Sequence, residues 1–197
     1  MPGTIGMLLF PDVDELDVAG PWEVLTLWTR LRPDDRWRVI SVGTAGAGPV
    51  RCAGGLVMTP DTALAAAGPM DVVIEPGGNG INRLMQDEVH LGWLREQAAR
   101  SHIMSSVCVG ALVLATAGVL HNHRATTHWM NLEQLAEIDS TIDVLADVGY
   151  VDDGPVVTSA GVSAGIEMAL HLVGRLGGAD RAEDVRRLIQ YDCAPRV

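Results

Sequence analysis

In the stretch SSVCVGALVLATAGVL, residues 105–120, one cysteine stands where a short apolar run meets a small-residue helical segment. A strand that delivers one reactive side chain and then opens into a helix is the layout of a nucleophile elbow. Val109, Gly110 and Ala111 keep such a turn sharp. A helix N-terminus directs amide N–H groups and partial positive charge at the side chain, a field that favours the thiolate, the nucleophilic form of cysteine. The position equally suits a small buried hydrophobe, a common fate of free cysteines, so alone it leaves Cys108 open to both readings. Cys52 and Cys193 lack this setting and read as packing residues.

Three other groups could join such a thiol. Asp12, Asp14, Glu15 and Asp17 follow the first apolar run, and Leu16 and Val18 flank Asp17. A carboxylate wedged between apolar residues is either paired or raised in pKa, and can then act as an acid. Asp12 and Asp14 read as exposed. The turn EPGGNG, residues 75–80, has neither the GxGxxG spacing nor the Lys-Ser/Thr of a phosphate loop. It reads as a plain loop, or as an oxyanion site whose amides face developing negative charge. Glu75 either surfaces at its strand end or takes part in catalysis. His128, in RATTHW, is a candidate base for a Cys–His pair or a structural histidine, whereas His121 and His123 read as surface residues.

The elements that must carry these residues alternate short apolar runs with helical segments, which predicts an α/β protein. TIGMLLF (4–10), WRVISVG, MDVVIE and HIMSSV read as strands, with LVMTPD as a further short one. GPWEVLTLWTRL reads as a helix with Pro21 in its first turn, where a missing N–H costs little. DEVHLGWLREQAARS has the apolar spacing of an amphipathic helix on Val89, Trp93 and Leu94. VGALVLATAGVL is predicted to be a helix broken near Gly118, followed by a helix in WMNLEQLAEI. A hairpin turning at Asp153-Gly154 comes next, then helices in AGIEMALHLVGRLGG and AEDVRRLIQYDC. The expectation is a single doubly wound, mostly parallel sheet flanked by helices. Ligands gather in such sheets beyond the carboxyl ends of the strands, where Cys108, the glycine turn and the acidic segment all fall.

The chain has 197 residues, 48% of them hydrophobic, with 22 Gly and 10 Pro, enough for one domain with a full core and many tight turns. Acidic residues outnumber Lys and Arg by 25 to 14, and without a basic cluster this argues against a nucleic-acid surface. No apolar run approaches the roughly 18 residues that span a bilayer, and the first residues lack the basic region of a signal peptide. Three cysteines, an odd number without metal-ligand spacing, predict a reduced, cytoplasmic setting.

Taken together, LLFPDVDELDVAGPWEVL, DVVIEPGGNGINRLMQDE, SSVCVGALVLATAGVLHNHRATTHW and TSAGVSAGIEMALHL resemble the ThiJ/PfpI superfamily, whose fold is like that of class I glutamine amidotransferases. The resemblance runs nearly end to end, as one domain over residues 1–197. It is strongest to the isocyanide (isonitrile) hydratase branch and to related domains of AraC-type regulators. It implies Cys108 as nucleophile and Asp17 as its carboxylate partner. Gly77, Gly78 and Val109 would form the oxyanion pocket, with Gly161 and Val162 on the opposite wall. His128 is a family feature. In a hydratase the thiolate attacks the isocyanide carbon, and water then releases an N-substituted formamide without metal or organic cofactor. The implied partners are a small electrophilic substrate and a second copy of the chain, for which the sequence itself adds only apolar residues near the acidic segment, such as Pro21 and Trp22. Two further readings are hydrolysis of glyoxal or glycation adducts, and a non-catalytic redox-sensing or ligand-binding role for Cys108.

Val109 departs from the pattern. Hydratases of this branch usually carry Thr after the nucleophile, and protease-like and amidotransferase-like relatives carry His. Regulators with this domain can bear a C-terminal helix-turn-helix module. This chain stops at Val197, which reads against that role.

Overall fold

In a computed structural model, residues 3–191 are described, so Cys193 and the end of the last expected helix lie outside them. β1 (Gly3–Leu9) leads into α1 (Glu15–Leu31) and β2 (Trp37–Gly43). The short strands β3 (Val50–Arg51), β4 (Val57–Met58) and β5 (Thr62–Ala63) follow. Then come β6 (Val72–Glu75), α2 (Ile81–Leu84), α3 (Glu88–Ala98), β7 (Ile103–Ser106) and α4 (Gly110–Thr116). The last third holds β8 (Arg124–Ala125), α5 (Leu132–Ile138), β9 (Asp143–Val144), β10 (Tyr150–Asp153), β11 (Val156–Ser159), α6 (Ala164–Gly177) and α7 (Ala179–Leu188).

Seven strands form the main sheet in the order β10-β11-β7-β6-β1-β2-β5. All neighbours are parallel except the β10–β11 hairpin, which turns at Gly154-Pro155. Every residue of β6 and β7 is buried, as expected of central parallel strands with helices over both faces. From β1 the chain winds outward through β2 to β5, then returns as β6 on the other side of β1. The strand order therefore reverses between β1 and β6, and a crevice opens beyond their carboxyl ends at such a switch point. α1, α6 and α7 pack against one another, and α3 packs with α4.

Two boundaries differ from the sequence reading. Helix α1 begins six residues before Pro21, at Glu15, with Glu15 and Asp17 in its first turn, where acidic side chains suit the helix dipole. Pro21 is thus interior to the helix, and its missing N–H leaves the Asp17 carbonyl without the i+4 donor. Burial of Val18, Val24, Leu25 and Trp28 holds the helix in spite of this. In LVMTPD, Val57-Met58 pairs antiparallel with β3 outside the main sheet, and it is Thr62-Ala63, just after that segment, that joins the sheet edge. Pro60, which has no N–H to give a ladder, separates the two. Pro21 is also buried and Trp22 packs partly against the core, so these two residues do not form an exposed apolar patch.

Candidate active site

β7 ends at Ser106, and the chain turns at Cys108 with φ 55, a left-handed conformation rare for a residue with a side chain. The turn is fixed from several sides. Val107 donates its amide to the Glu75 carbonyl at 3.0 Å, and Cys108 donates to the Ala160 carbonyl at 3.1 Å. Thr127 Oγ1 donates to the Cys108 carbonyl at 2.8 Å. Gly110 is required here, because a Cβ on it would lie 2.2 Å from the Glu75 carbonyl oxygen. The strained turn, the glycine and the helix behind it give the strand–turn–helix geometry that an elbow requires.

The thiol itself is 4% exposed. Burial, and next the Asp17 charge, push its pKa up to about 12, against the opposing pull of the Val109 and Val162 amides. The helix-terminal field expected to produce a thiolate is therefore outweighed: α4 is a seven-residue helix beside a buried carboxylate. Cys108 rests as the thiol.

Asp17 is fully buried. Its Oδ2 accepts the Gly77 amide at 2.9 Å, while Oδ1 has no hydrogen-bond partner. Burial raises its pKa to about 7, the Asp14 charge adding to the rise and the Gly77 amide and the Cys108 thiol opposing it. A carboxyl that titrates near neutrality thus stands beside a neutral thiol.

Asp14 was expected to be exposed and is not. It is half-buried at the N-cap of α1, yet its side chain makes no capping hydrogen bond. One donor atom each from Asp14, Asp17 and Cys108 lie within 4.8 Å of one another. Burial and then the Glu15 charge raise the Asp14 pKa. The i, i+3 spacing of Asp14 and Asp17 could have revealed the pair, but only with the helix start placed at Glu15. Two carboxylates and a sulfur could also hold a metal ion, provided the ion displaced the thiol proton.

The glycine turn divides its tasks. The Gly77 amide is committed to Asp17, and its carbonyl accepts the Asp14 amide at 3.0 Å. Gly78, at φ 132, forms a bridge with Val13 and lines a cleft of about 410 Å³ together with Cys108, Val109, Asp14 and Val162. Asn79, Asn82, Asn131 and Gln134 add amides to that cleft, none of them singled out by the sequence. His128 reaches the cleft wall, half-buried, but its ring is not part of the cluster around the thiol. Its Nδ1 accepts the Met130 amide at 3.4 Å. Gly161 lies against this ring, where a Cβ would come 2.4 Å from His128 Cδ2. Gly161 lines a neighbouring cleft of about 780 Å³ that also includes His128 and Val162.

Glu75 does not surface at its strand end. It is fully buried and pairs with His90 of α3, Oε2 to Nε2, at 2.9 Å. Burial alone would lower the His90 pKa, but the Glu75 charge and hydrogen bond together raise it. The pair anchors the end of β6 to α3 behind the elbow. It joins residues 15 positions apart on different elements, which neither residue signals by itself.

A doubly wound sheet with a thiol elbow at its carboxyl edge, and an acid supplied from beyond β1, defines a class of cysteine-centred α/β proteins. Residues 4–175 match the DJ-1/PfpI family, and the chain belongs to that family. It is 39% identical over 191 residues to the isonitrile hydratase of Pseudomonas putida, covering 97% of this chain and 79% of that one. It is 30% identical to the HTH-type transcriptional regulator GbdR of Pseudomonas aeruginosa, over 97% of this chain but only 51% of the regulator. The crystal structure of a ThiJ/PfpI family protein from Pseudomonas syringae superposes with a TM-score of 0.87 at 26% identity, covering 100% of this chain and 78% of that one. The α/β fold and family expected from the motifs are those found.

Proposed function

We propose that the protein hydrates an isocyanide to an N-substituted formamide, with Cys108 as nucleophile and Asp17 as the proton carrier for the thiol. The observation that carries this reading is the buried Asp17 carboxyl: one oxygen is held by Gly77, the other has no hydrogen-bond partner, and the group lies within 4.8 Å of the Cys108 sulfur. The sulfur of Cys108 bonds to the isocyanide carbon as its proton passes to Asp17, and Asp17 returns that proton to the same carbon. The product is a thioimidate, R–N=CH–S–Cys108. Water then adds across C=N, the C–S bond breaks, and the thiol is restored. Similarity to a hydratase supports the reading. In it the protein works as a cytoplasmic homodimer, and the free Cys52 and Cys108 agree with a reducing compartment.

Purified protein incubated with cyclohexyl isocyanide should yield the formamide, and Cys108→Ala should yield none. Equal inertness of both proteins overturns the proposal. Peroxide sensing and carbonyl-adduct hydrolysis are the competing uses of the same thiol. Oxygen addition to Cys108 on peroxide treatment, followed by mass spectrometry, tests the first. Methylglyoxal consumption tests the second.

A further inference from the structure

We infer that Asp14 is a second catalytic carboxylate, the base that activates water in the hydrolytic half of the reaction, with Asp17 serving the thiol half. This rests on the isocyanide hydration proposed above.

Three observations place Asp14 in that role. Its position at the N-cap of α1 is one where an aspartate ordinarily turns back to accept amides of its own helix, and it makes no such bond. Its backbone is pinned instead to the glycine turn, the Asp14 amide donating to the Gly77 carbonyl at 3.0 Å and Val13 bridging Gly78. The carboxylate lines the cleft of about 410 Å³ and stands within 4.8 Å of both the Cys108 sulfur and an Asp17 oxygen. Asp17 is fully buried with Oδ1 unpartnered, so the acid facing the thiol is shut away while Asp14 is open to the cleft.

The chemistry needs two carriers. After the first half Asp17 is again a carboxylate and the thioimidate fills the thiol's place. Water attacks the thioimidate carbon, its proton passes to Asp14, and Asp14 delivers that proton to the nitrogen. The tetrahedral R–NH–CH(OH)–S–Cys108 then collapses: the C–S bond breaks, Asp17 takes the hydroxyl proton and returns it to sulfur. R–NH–CHO leaves and both carboxylates regain their starting state. A half-buried carboxylate that lines the cleft and makes no capping bond has an oxygen open to take a proton from water.

The test follows the intact mass of the protein after mixing with cyclohexyl isocyanide, alongside formamide release. Asp14→Asn should form the Cys108 adduct, heavier by one isocyanide, at close to the wild-type rate. It should then accumulate that adduct while formamide release falls at least tenfold, and Asp14→Glu should restore part of the release. Turnover of Asp14→Asn at the wild-type rate without adduct overturns the inference. So does failure of Asp14→Asn to form an adduct that the wild type forms, with the variant folded by circular dichroism. Wild-type protein that forms neither adduct nor formamide sinks the hydratase reading itself, a separate outcome.

Discussion

Gly77 holds Asp17 through its amide at 2.9 Å, and with its carbonyl accepts the amide of Asp14. These two acids occupy the N-cap and third positions of α1, where a reciprocal capping pair would ordinarily form. One residue beyond another strand end, Gly77, takes the acceptor's part towards the Asp14 amide and binds the Asp17 side chain through its own amide. Neither carboxylate caps its own helix, and both lie beside the Cys108 sulfur instead.

The Asp17 charge is the second-largest influence raising the Cys108 pKa. Asp17→Asn should therefore move the pH midpoint of Cys108 alkylation by iodoacetamide below about 12. Every pH unit by which that midpoint falls gives about tenfold more thiolate at a fixed pH. Peptide mapping by mass spectrometry keeps Cys52 apart from the reading. Turnover should fall even as the thiol becomes more acidic. An unmoved midpoint would mean that the sulfur does not feel the carboxylate.

Asp17 also makes stability depend on pH. Its folded pKa, about 7, lies above the ordinary 3.8, so the fold favours the protonated form. Stability should be fullest below the unfolded value and decline as pH rises through the folded one. Asp17→Asn removes that decline, and by pH 8 should be the more stable protein by up to about 4 kcal/mol. Urea unfolding at pH 5 and pH 8 measures the difference, and parallel wild-type and variant curves would refute it.

The Glu75–His90 pair predicts a loss that is not additive. His90→Ala leaves a carboxylate buried without its partner and should cost about 3–5 kcal/mol. Replacing both residues by leucine should recover most of it. Because the His90 pKa is raised, its contribution is complete below 6.5 and is lost as pH climbs through the folded value. Thermal melts of the two variants and the wild type across that window check both claims.

Val109 lines the cleft directly after the nucleophile. Val109→Thr keeps the shape and adds a hydroxyl beside the thiol. One new hydrogen bond to the reacting group should raise formamide formation by up to about tenfold. No change would show that the hydroxyl is dispensable in this pocket.

Cys108 was legible in the sequence because an elbow has a local signature: a strand, one reactive residue, then small residues where a Cβ would strike the neighbouring strand. Asp17 was legible because Leu16 and Val18 flank it. Asp14 was not, since Pro21 imitates a helix start and hides the turn that brings the two acids together. The depressed thiol acidity was equally hidden, because it depends on burial and on a charge from beyond a different strand. Glu75 and His90 belong to separate elements, and only the packing of α3 behind β6 pairs them.

Pro21 gives α1 a mechanical joint. It cannot donate to the Asp17 carbonyl, and its ring packs where a Cβ on Gly165 of α6 would come within 3.2 Å. The joint is thus pressed against a neighbouring helix just beyond the acidic turn. The turns that follow are held in the core by Val24, Leu25 and Trp28, whereas the acidic turn is held by the glycine turn beyond β6. The two acids are therefore set against the thiol by contacts separate from those that pack the rest of α1.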